Sequence, residues 1–148
     1  MIESVGRLDP KPAPTIAPTA TIADAVAVLR REGVGCLLVV DGGELAGIFT
    51  ERDLLKKVLA PSRSLDGPVS AAMTANPVSA NILDSIRTAV ERMQTGGYRH
   101  IPVVDEANRP LGVLSAKRIV SYLVEHFPAT VYNLPPDPQS VPETAEGA

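Results

Sequence analysis

The sequence predicts an α/β fold of two repeats related by an approximate twofold axis. Each repeat is a small three-stranded sheet with two helices, and the two pack sheet to sheet. Three observations lead there. The chain states nearly the same thing twice, about 64 residues apart: Gly33-Val34-Gly35-Cys36-Leu37-Leu38-Val39-Val40-Asp41 aligns with Gly97-Tyr98-Arg99-His100-Ile101-Pro102-Val103-Val104-Asp105. At nearly the same offset, Gly47 to Asp53 aligns with Gly112 to Arg118, and Thr21 to Ala25 with Ser85 to Ala89, which marks two copies of one unit. The apolar content is 45% with only 3% aromatic, so the core is built from Val, Leu, Ile and Ala. Finally, a unit of about 50 residues with one small sheet buries too little surface to stand alone, so the copies must share a core.

The elements follow in order. Residues 1–13 are polar and proline-rich (Pro10, Pro12) and read as an extended lead-in with little structure of its own. The first repeat spans 14–60. In it Thr19 or Thr21 caps a helix from Ala23 to Arg31, which Gly33 ends. Cys36 to Val40 is a short buried strand, Asp41-Gly42-Gly43 a turn, and Leu45 to Phe49 the return strand. Thr50 caps a second helix from Glu51 to about Leu59, with Glu51 in its first turn and Lys56 and Lys57 near its end. Residues 61–72 read as a linker. The second repeat, 73–127, begins with an extended segment, Pro77 to Ala80. A helix capped by Ser85 runs from Ile86 to Thr95 and stops at Gly96-Gly97. Arg99 to Val104 and Leu111 to Leu114 are strands, and Ser115 caps a last helix to about His126. Residues 128–148, with Pro135-Pro136-Asp137-Pro138, have the composition of a disordered tail.

Composition narrows the function classes. Fourteen Lys and Arg against 17 Asp and Glu give a net charge of −3, without the basic excess of a nucleic-acid binder. Three Tyr and two Phe make a poor base-stacking platform. Runs such as Val34 to Val40 are too short to span a bilayer, and Met1 to Arg7 lacks an apolar signal core. One cysteine excludes an intrachain disulfide framework and suits a reducing compartment. The expectation is therefore a cytoplasmic protein with neither nucleic acid nor membrane as partner. No His/Cys/Asp cluster has metal-ligand spacing, and no Gly-x-x-x-x-Gly-Lys loop is present. Cys36, in an apolar strand, reads as a buried inert thiol. Nothing in the sequence suggests catalysis.

The segment Gly47-Ile48-Phe49-Thr50-Glu51-Arg52-Asp53 followed by two leucines, the two Val-Val-Asp strand ends, Met73-Thr74-Ala75-Asn76-Pro77-Val78 and Arg99-His100-Ile101-Pro102-Val103-Val104 together resemble a tandem pair of cystathionine-β-synthase (CBS) domains, the Bateman module. The resemblance covers roughly Pro14 to Glu125. It implies one globule with two clefts between the sheets, adenosyl ligands such as AMP, ADP, ATP or S-adenosylmethionine in those clefts, and a flat homodimer. It also implies a candidate ligand-binding set of Ile48, Thr50, Arg52, Asp53, Val78, Arg99, His100, Val113, Ser115 and Arg118.

Two readings of the first copy stand side by side. Thr50 sits where a strand becomes a helix, and Asp53 lies one turn on. A carboxylate there can accept two hydrogen bonds from a ribose diol, with Thr50 and the first-turn N–H groups serving ribose or phosphate. The same two residues also form an ordinary helix cap, whether or not a nucleotide binds. In the second copy Ser115 replaces the threonine conservatively, and Arg118 stands where the aspartate would be. Arginine has no acceptor and cannot take hydrogen bonds from a diol. What the second copy offers instead is Arg99, His100, Lys117 and Arg118, which either hold phosphates or are solvated charges beside an edge-packed histidine. The overall expectation is a stand-alone, non-catalytic regulatory module that binds an adenine nucleotide, with one full site built on the first copy's Thr50 and Asp53 and a degraded second site, and that acts on an unknown protein effector. The alternative is a ligand-free dimerisation or interaction module with vestigial sites.

Overall fold

The computed structural model describes residues 3–126; the expected tail at 128–148 lies outside the described residues. The first repeat contains β1 (Thr15–Ile16), α1 (Ile22–Glu32), β2 (Cys36–Asp41), β3 (Glu44–Thr50) and α2 (Glu51–Asp53), which runs on as a π-helix, Leu54–Leu59. The second contains β5 (Ala80–Asn81), α3 (Ile86–Gly96), β6 (His100–Val104), β7 (Pro110–Ser115) and α4 (Ala116–His126), with β4 (Thr74–Ala75) between the repeats. The sheets have strand orders β1-β2-β3-β4 and β5-β6-β7. The fold is the mixed α/β pair that the repeat offset implies.

Local chemistry sets the element ends. Thr21 and Asp24 form a reciprocal capping box at the start of α1, and Gly33 closes it in the left-handed conformation at φ 64°, where glycine carries no Cβ penalty. At α3, Ser85 caps by accepting from Thr88 N–H, and Gly97 closes the helix at φ 67°, each 64 positions after its counterpart, Thr21 and Gly33. Between β2 and β3 the pairing of Asp41 with Glu44 leaves a two-residue turn, Gly42-Gly43, with both φ angles positive. That is the turn whose twist suits a hairpin. Each long hairpin carries an irregularity at the same repeat position, Val39/Val40 and Val103/Val104. The helix after Thr50 departs from the expected single α-helix: past Asp53 it widens to a π-helix, closed by Ala60 N–H donating to Leu55 C=O at 2.9 Å.

The lead-in and the linker depart most from expectation. Residues 5–8 are not a structureless extension. Val5–Leu8 is a 3₁₀-helix, and Val5 and Leu8 are wholly buried among Ala80, Ile86, Ile101, Leu114 and Ile119 of the second repeat. Ile86 N–H donates to Glu3 C=O at 2.8 Å, and Val5 N–H to Asp84 C=O at 2.8 Å. The segment read as a linker behaves symmetrically. Val69–Ala71 is a second 3₁₀-helix, and Val69 and Ala72 are wholly buried among Ile22, Ala25, Leu37 and Phe49 of the first repeat. Each repeat is thus completed by the segment that precedes the other.

The exchange also accounts for the unequal sheets. Thr74 and Ala75 pair with Ile48 and Gly47, giving the first sheet a fourth strand where three were expected. In the second repeat only Lys11 bridges, to Val113. It is flanked by Pro10 and Pro12, which have no N–H to extend a ladder. Gly47 and Gly112 mark where the visitors cross. A Cβ on Gly47 would stand 2.9 Å from the Thr74 carbonyl oxygen, and one on Gly112 2.8 Å from that of Lys11.

The sheets meet through Cys36, Leu38, Leu45 and Ile48 on one side and Val104 and Val113 on the other. Asn108, in the β6–β7 turn, fastens the edge: Leu45 N–H donates to its carbonyl at 2.9 Å, and its side-chain amide donates to Leu45 C=O at 3.2 Å. The N-terminal crossing can be weighed directly. Leu8→Ala is expected to lower the unfolding free energy by about 2–4 kcal/mol, as for other fully buried leucines, measured by urea denaturation. A change within about 0.5 kcal/mol, typical of surface positions, would show that this segment is not part of the second core.

Candidate functional site

Thr50 and Asp53 are brought together as both readings of them require. Thr50 N–H donates to Asp53 Oδ2 at 3.0 Å, the Thr50 hydroxyl donates to the same oxygen at 3.1 Å, and Asp53 N–H donates to Thr50 Oγ1 at 3.1 Å. The other carboxylate oxygen, Oδ1, accepts from the Thr74 hydroxyl at 3.1 Å and pairs with Lys57 Nζ at 3.1 Å. Lys57 also donates to Met73 C=O at 3.1 Å. A carboxylate has about four lone-pair sites, and here all four face the protein's own donors. Asp53, 7% exposed, therefore caps α2 and ties down the strand that crosses from the other repeat. The cap accounts for Oδ2, and the contacts to Thr74 and Lys57 account for Oδ1.

Four other candidates, two from each copy, are dispersed. Ile48 is buried between the sheets beside Val113. Arg52 is exposed on α2. Val78 lies on the outer side of α3 in a shallow hollow with Thr88, Glu91, Arg92 and Tyr98. Arg99 is exposed, and its carbonyl accepts from Ala116 N–H at 3.0 Å, joining the start of β6 to the start of α4.

Four of the ten candidates, His100, Val113, Ser115 and Arg118, share the walls of one cavity of about 670 Å³, within the range of small-molecule sites. Besides His100 of β6 and Val113 of β7, three groups of residues build it. The start of α4 contributes Ser115, Lys117 and Arg118; the α1–β2 turn contributes Gly33 to Cys36; the N-terminal segment contributes Asp9 to Pro14. Sequence reasoning missed the last two groups. The prolines hid the N-terminal segment. Its signal was the spacing of Val5 and Leu8, which matches Val69 and Ala72 in the segment before the second repeat. The turn was legible through the pseudo-symmetry, which sets the strand start of one repeat against the helix start of the other.

The cavity is basic. Lys11, Lys117 and Arg118 face Asp9 as its one carboxylate. Arg118 is held by its Nε, which donates to Leu8 C=O at 3.0 Å, while Nη2 stands 4.0 Å from Asp9 Oδ2. Ser115 caps α4 by accepting from Arg118 N–H at 3.0 Å. Burial, and secondarily the Arg99 charge, hold the His100 pKa below its ordinary value, so the ring is neutral near pH 7 and can accept or donate one hydrogen bond. Burial pushes the Cys36 thiol up, away from a reactive thiolate. Among the described residues no group of three His, Cys, Asp or Glu could hold a metal ion, and no helix is long and apolar enough to cross a membrane.

The CBS domain family model matches residues 5–60 and 69–125, so its limits include both exchanged segments. Among relatives, the meiotically up-regulated gene 70 protein of Schizosaccharomyces pombe is 32% identical over 98% of this chain, and the chain spans 19% of that protein's length. Among solved structures, CBS domain protein PAE2072 from Pyrobaculum aerophilum, complexed with AMP, has a TM-score of 0.74 at 26% identity, covering 83% of this chain and 97% of that one. The CBS domain pair of protein MJ0100, in complex with 5′-methylthioadenosine and S-adenosyl-L-methionine, has a TM-score of 0.74 at 25% identity, covering 84% and 98%.

The role of Asp53 is open to a stability measurement. Asp53→Ala strands the Thr50 and Thr74 donors and leaves Lys57 without its carboxylate. It is expected to cost about 1–3 kcal/mol, as for a buried carboxylate's hydrogen bonds and a lost helix cap, in urea denaturation without ligand. An unchanged midpoint would return Asp53 to a role reserved for a ligand.

Proposed function

The chain belongs to the CBS domain family, and on that premise we propose that it is a non-catalytic regulatory module binding an adenosyl ligand, AMP, ADP, ATP or an S-adenosylmethionine-like molecule, between its repeats. The observation that carries this is the 670 Å³ cavity walled by both repeats and by the N-terminal segment. AMP in one similar structure and S-adenosyl-L-methionine in another support the ligand class. In this reading the base lies against the apolar wall of Val34, Cys36 and Val113, and the phosphates face Lys11, Lys117 and Arg118. The occupied site is thus the cleft of the second copy. Ribose binding at Asp53 would have to displace Thr74 or Lys57 from a carboxylate they already satisfy. The output is regulation of an effector in response to adenine-nucleotide level, as suits a cytoplasmic energy sensor.

The module is also proposed to be a homodimer. Leu55 and Val120 occupy equivalent positions in the two repeats and are each 59% exposed, with Leu59 at 53%. Large apolar side chains left in water on paired helices mark an interface. The filled acceptors of Asp53 favour a second reading, in which such a dimer works through protein contacts alone.

Calorimetric titration of the purified chain separates the readings. Saturable binding of AMP or ATP that survives Asp53→Ala and weakens at least about tenfold, the worth of one charge-assisted hydrogen bond, in Arg118→Gln is the expected result. Silence at millimolar ligand leaves the dimerisation module. Sedimentation at tens of micromolar should show a dimer for wild type and a monomer for Leu55→Glu/Val120→Glu; a wild-type monomer would overturn the assembly.

A further inference from the structure

Position 118 is where the second repeat parts from the first. Arg118 occupies the place that Asp53 holds in the first copy. The substitution removes the one group at that position able to accept from a ribose diol. The cavity's remaining carboxylate, Asp9, has a side chain 92% exposed and is poorly placed to make up the loss. The same substitution adds a cation whose position is set by the backbone. Arg118 Nε is engaged by Leu8 C=O, and 4.0 Å from Nη2 to Asp9 Oδ2 is beyond hydrogen-bond reach. The outer edge of the guanidinium, with its two amino groups, therefore makes no hydrogen bond among the described residues. Lys117 stands next to it on the first turn of α4, and Lys11 enters from the N-terminal segment.

Three cations from two separate stretches of chain converge here, at the positive end of a helix eleven residues long. A lone phosphate engages one or two such groups. A di- or triphosphate brings more charge and more acceptor oxygens to the three, and guanidinium geometry suits those oxygens. His100, neutral for the reason given above, leaves this balance unchanged near pH 7.

Resting on the nucleotide reading of the cavity, we propose that this site selects its ligand by phosphate charge and not by ribose, and that its ligand is a nucleoside di- or triphosphate. Arg118 is the specificity-determining residue, with Lys117 and Lys11 completing the phosphate contacts.

The test is calorimetry with ATP, ADP, AMP and 2′,3′-dideoxy-ATP on wild type, Arg118→Gln and Lys117→Gln. Lys117→Gln provides the control should loss of the Leu8 contact unsettle the fold of Arg118→Gln, since Lys117 is exposed. Wild type is expected to bind ATP at least about tenfold more tightly than AMP, one charge-assisted contact being worth about that much. Removing both ribose hydroxyls should change ATP affinity less than about threefold, and Lys117→Gln should narrow the ATP-to-AMP ratio. Equal binding of AMP and ATP, with dideoxy-ATP at least about tenfold weaker than ATP, would overturn phosphate selection while leaving the nucleotide reading intact. An ATP-to-AMP ratio unmoved by either substitution would overturn it too. No binding of any of the four would overturn both.

Discussion

Two backbone crossings govern this molecule. At Gly47 and Gly112 a visiting segment passes so close to the hairpin that a single methyl group would collide with a carbonyl oxygen. A side chain cannot be accommodated by a small shift there, because the obstructing atom belongs to a backbone held in hydrogen bonds on both sides. The glycines let the segments through, and burial of Val5 and Leu8 in one core and Val69 and Ala72 in the other then holds them. Neither sheet has a complete hydrophobic partner without its visitor. The inter-sheet cluster around Ile48 and Val113 joins two units that are already interlocked.

The same constraint explains how one position can carry opposite charges in the two repeats. Asp53 and Arg118 each fasten the segment crossing beside them, the first by accepting from Thr74, the second by donating to Leu8 C=O. Either sign serves the structural task, because one crossing segment presents the Thr74 hydroxyl as a donor and the other presents the Leu8 carbonyl as an acceptor. What differs is the remainder. Asp53 has no lone pair left over, whereas Arg118 keeps two amino groups directed away from its backbone partner. The cleft that has lost the familiar acidic residue is accordingly the one with an open, charged wall.

Much of the fold could be read from the sequence because its signals are local. Thr21 with Gly33, and Ser85 with Gly97, bracket two helices by capping chemistry alone, and the glycine pair at 42–43 announces its hairpin. The exchange was harder to read. A 3₁₀ turn of four residues with two apolar side chains has no periodicity to detect, and its partner lies a hundred residues away. Proline-rich flanks pointed toward a loose lead-in, although proline here serves a segment that binds by one bridge and needs no ladder. The site divided along the same line. Ser115, Arg118, His100 and Val113 were found by position within the repeat. Lys11 and the Gly33–Gly35 turn were not, because they reach the cavity only through tertiary pairing. The cap formed by Thr50 and Asp53 was legible locally, but the contacts of Asp53 with Thr74 and Lys57 were not, because no local pattern specifies their approach.

The contact between Arg118 and Leu8 spans 110 residues, which bears on how the chain is made. Ribosomes deliver roughly 5–20 residues each second, so Leu8 leaves the exit tunnel several seconds or more before the strand and helix it must join exist. For that interval an apolar turn waits for its core, whereas the first repeat waits only for Val69, ten residues past Leu59. The first core is complete once Val69 and Ala72 have emerged, whereas the second closes only when Ile119 and Tyr122 reach Val5 and Leu8.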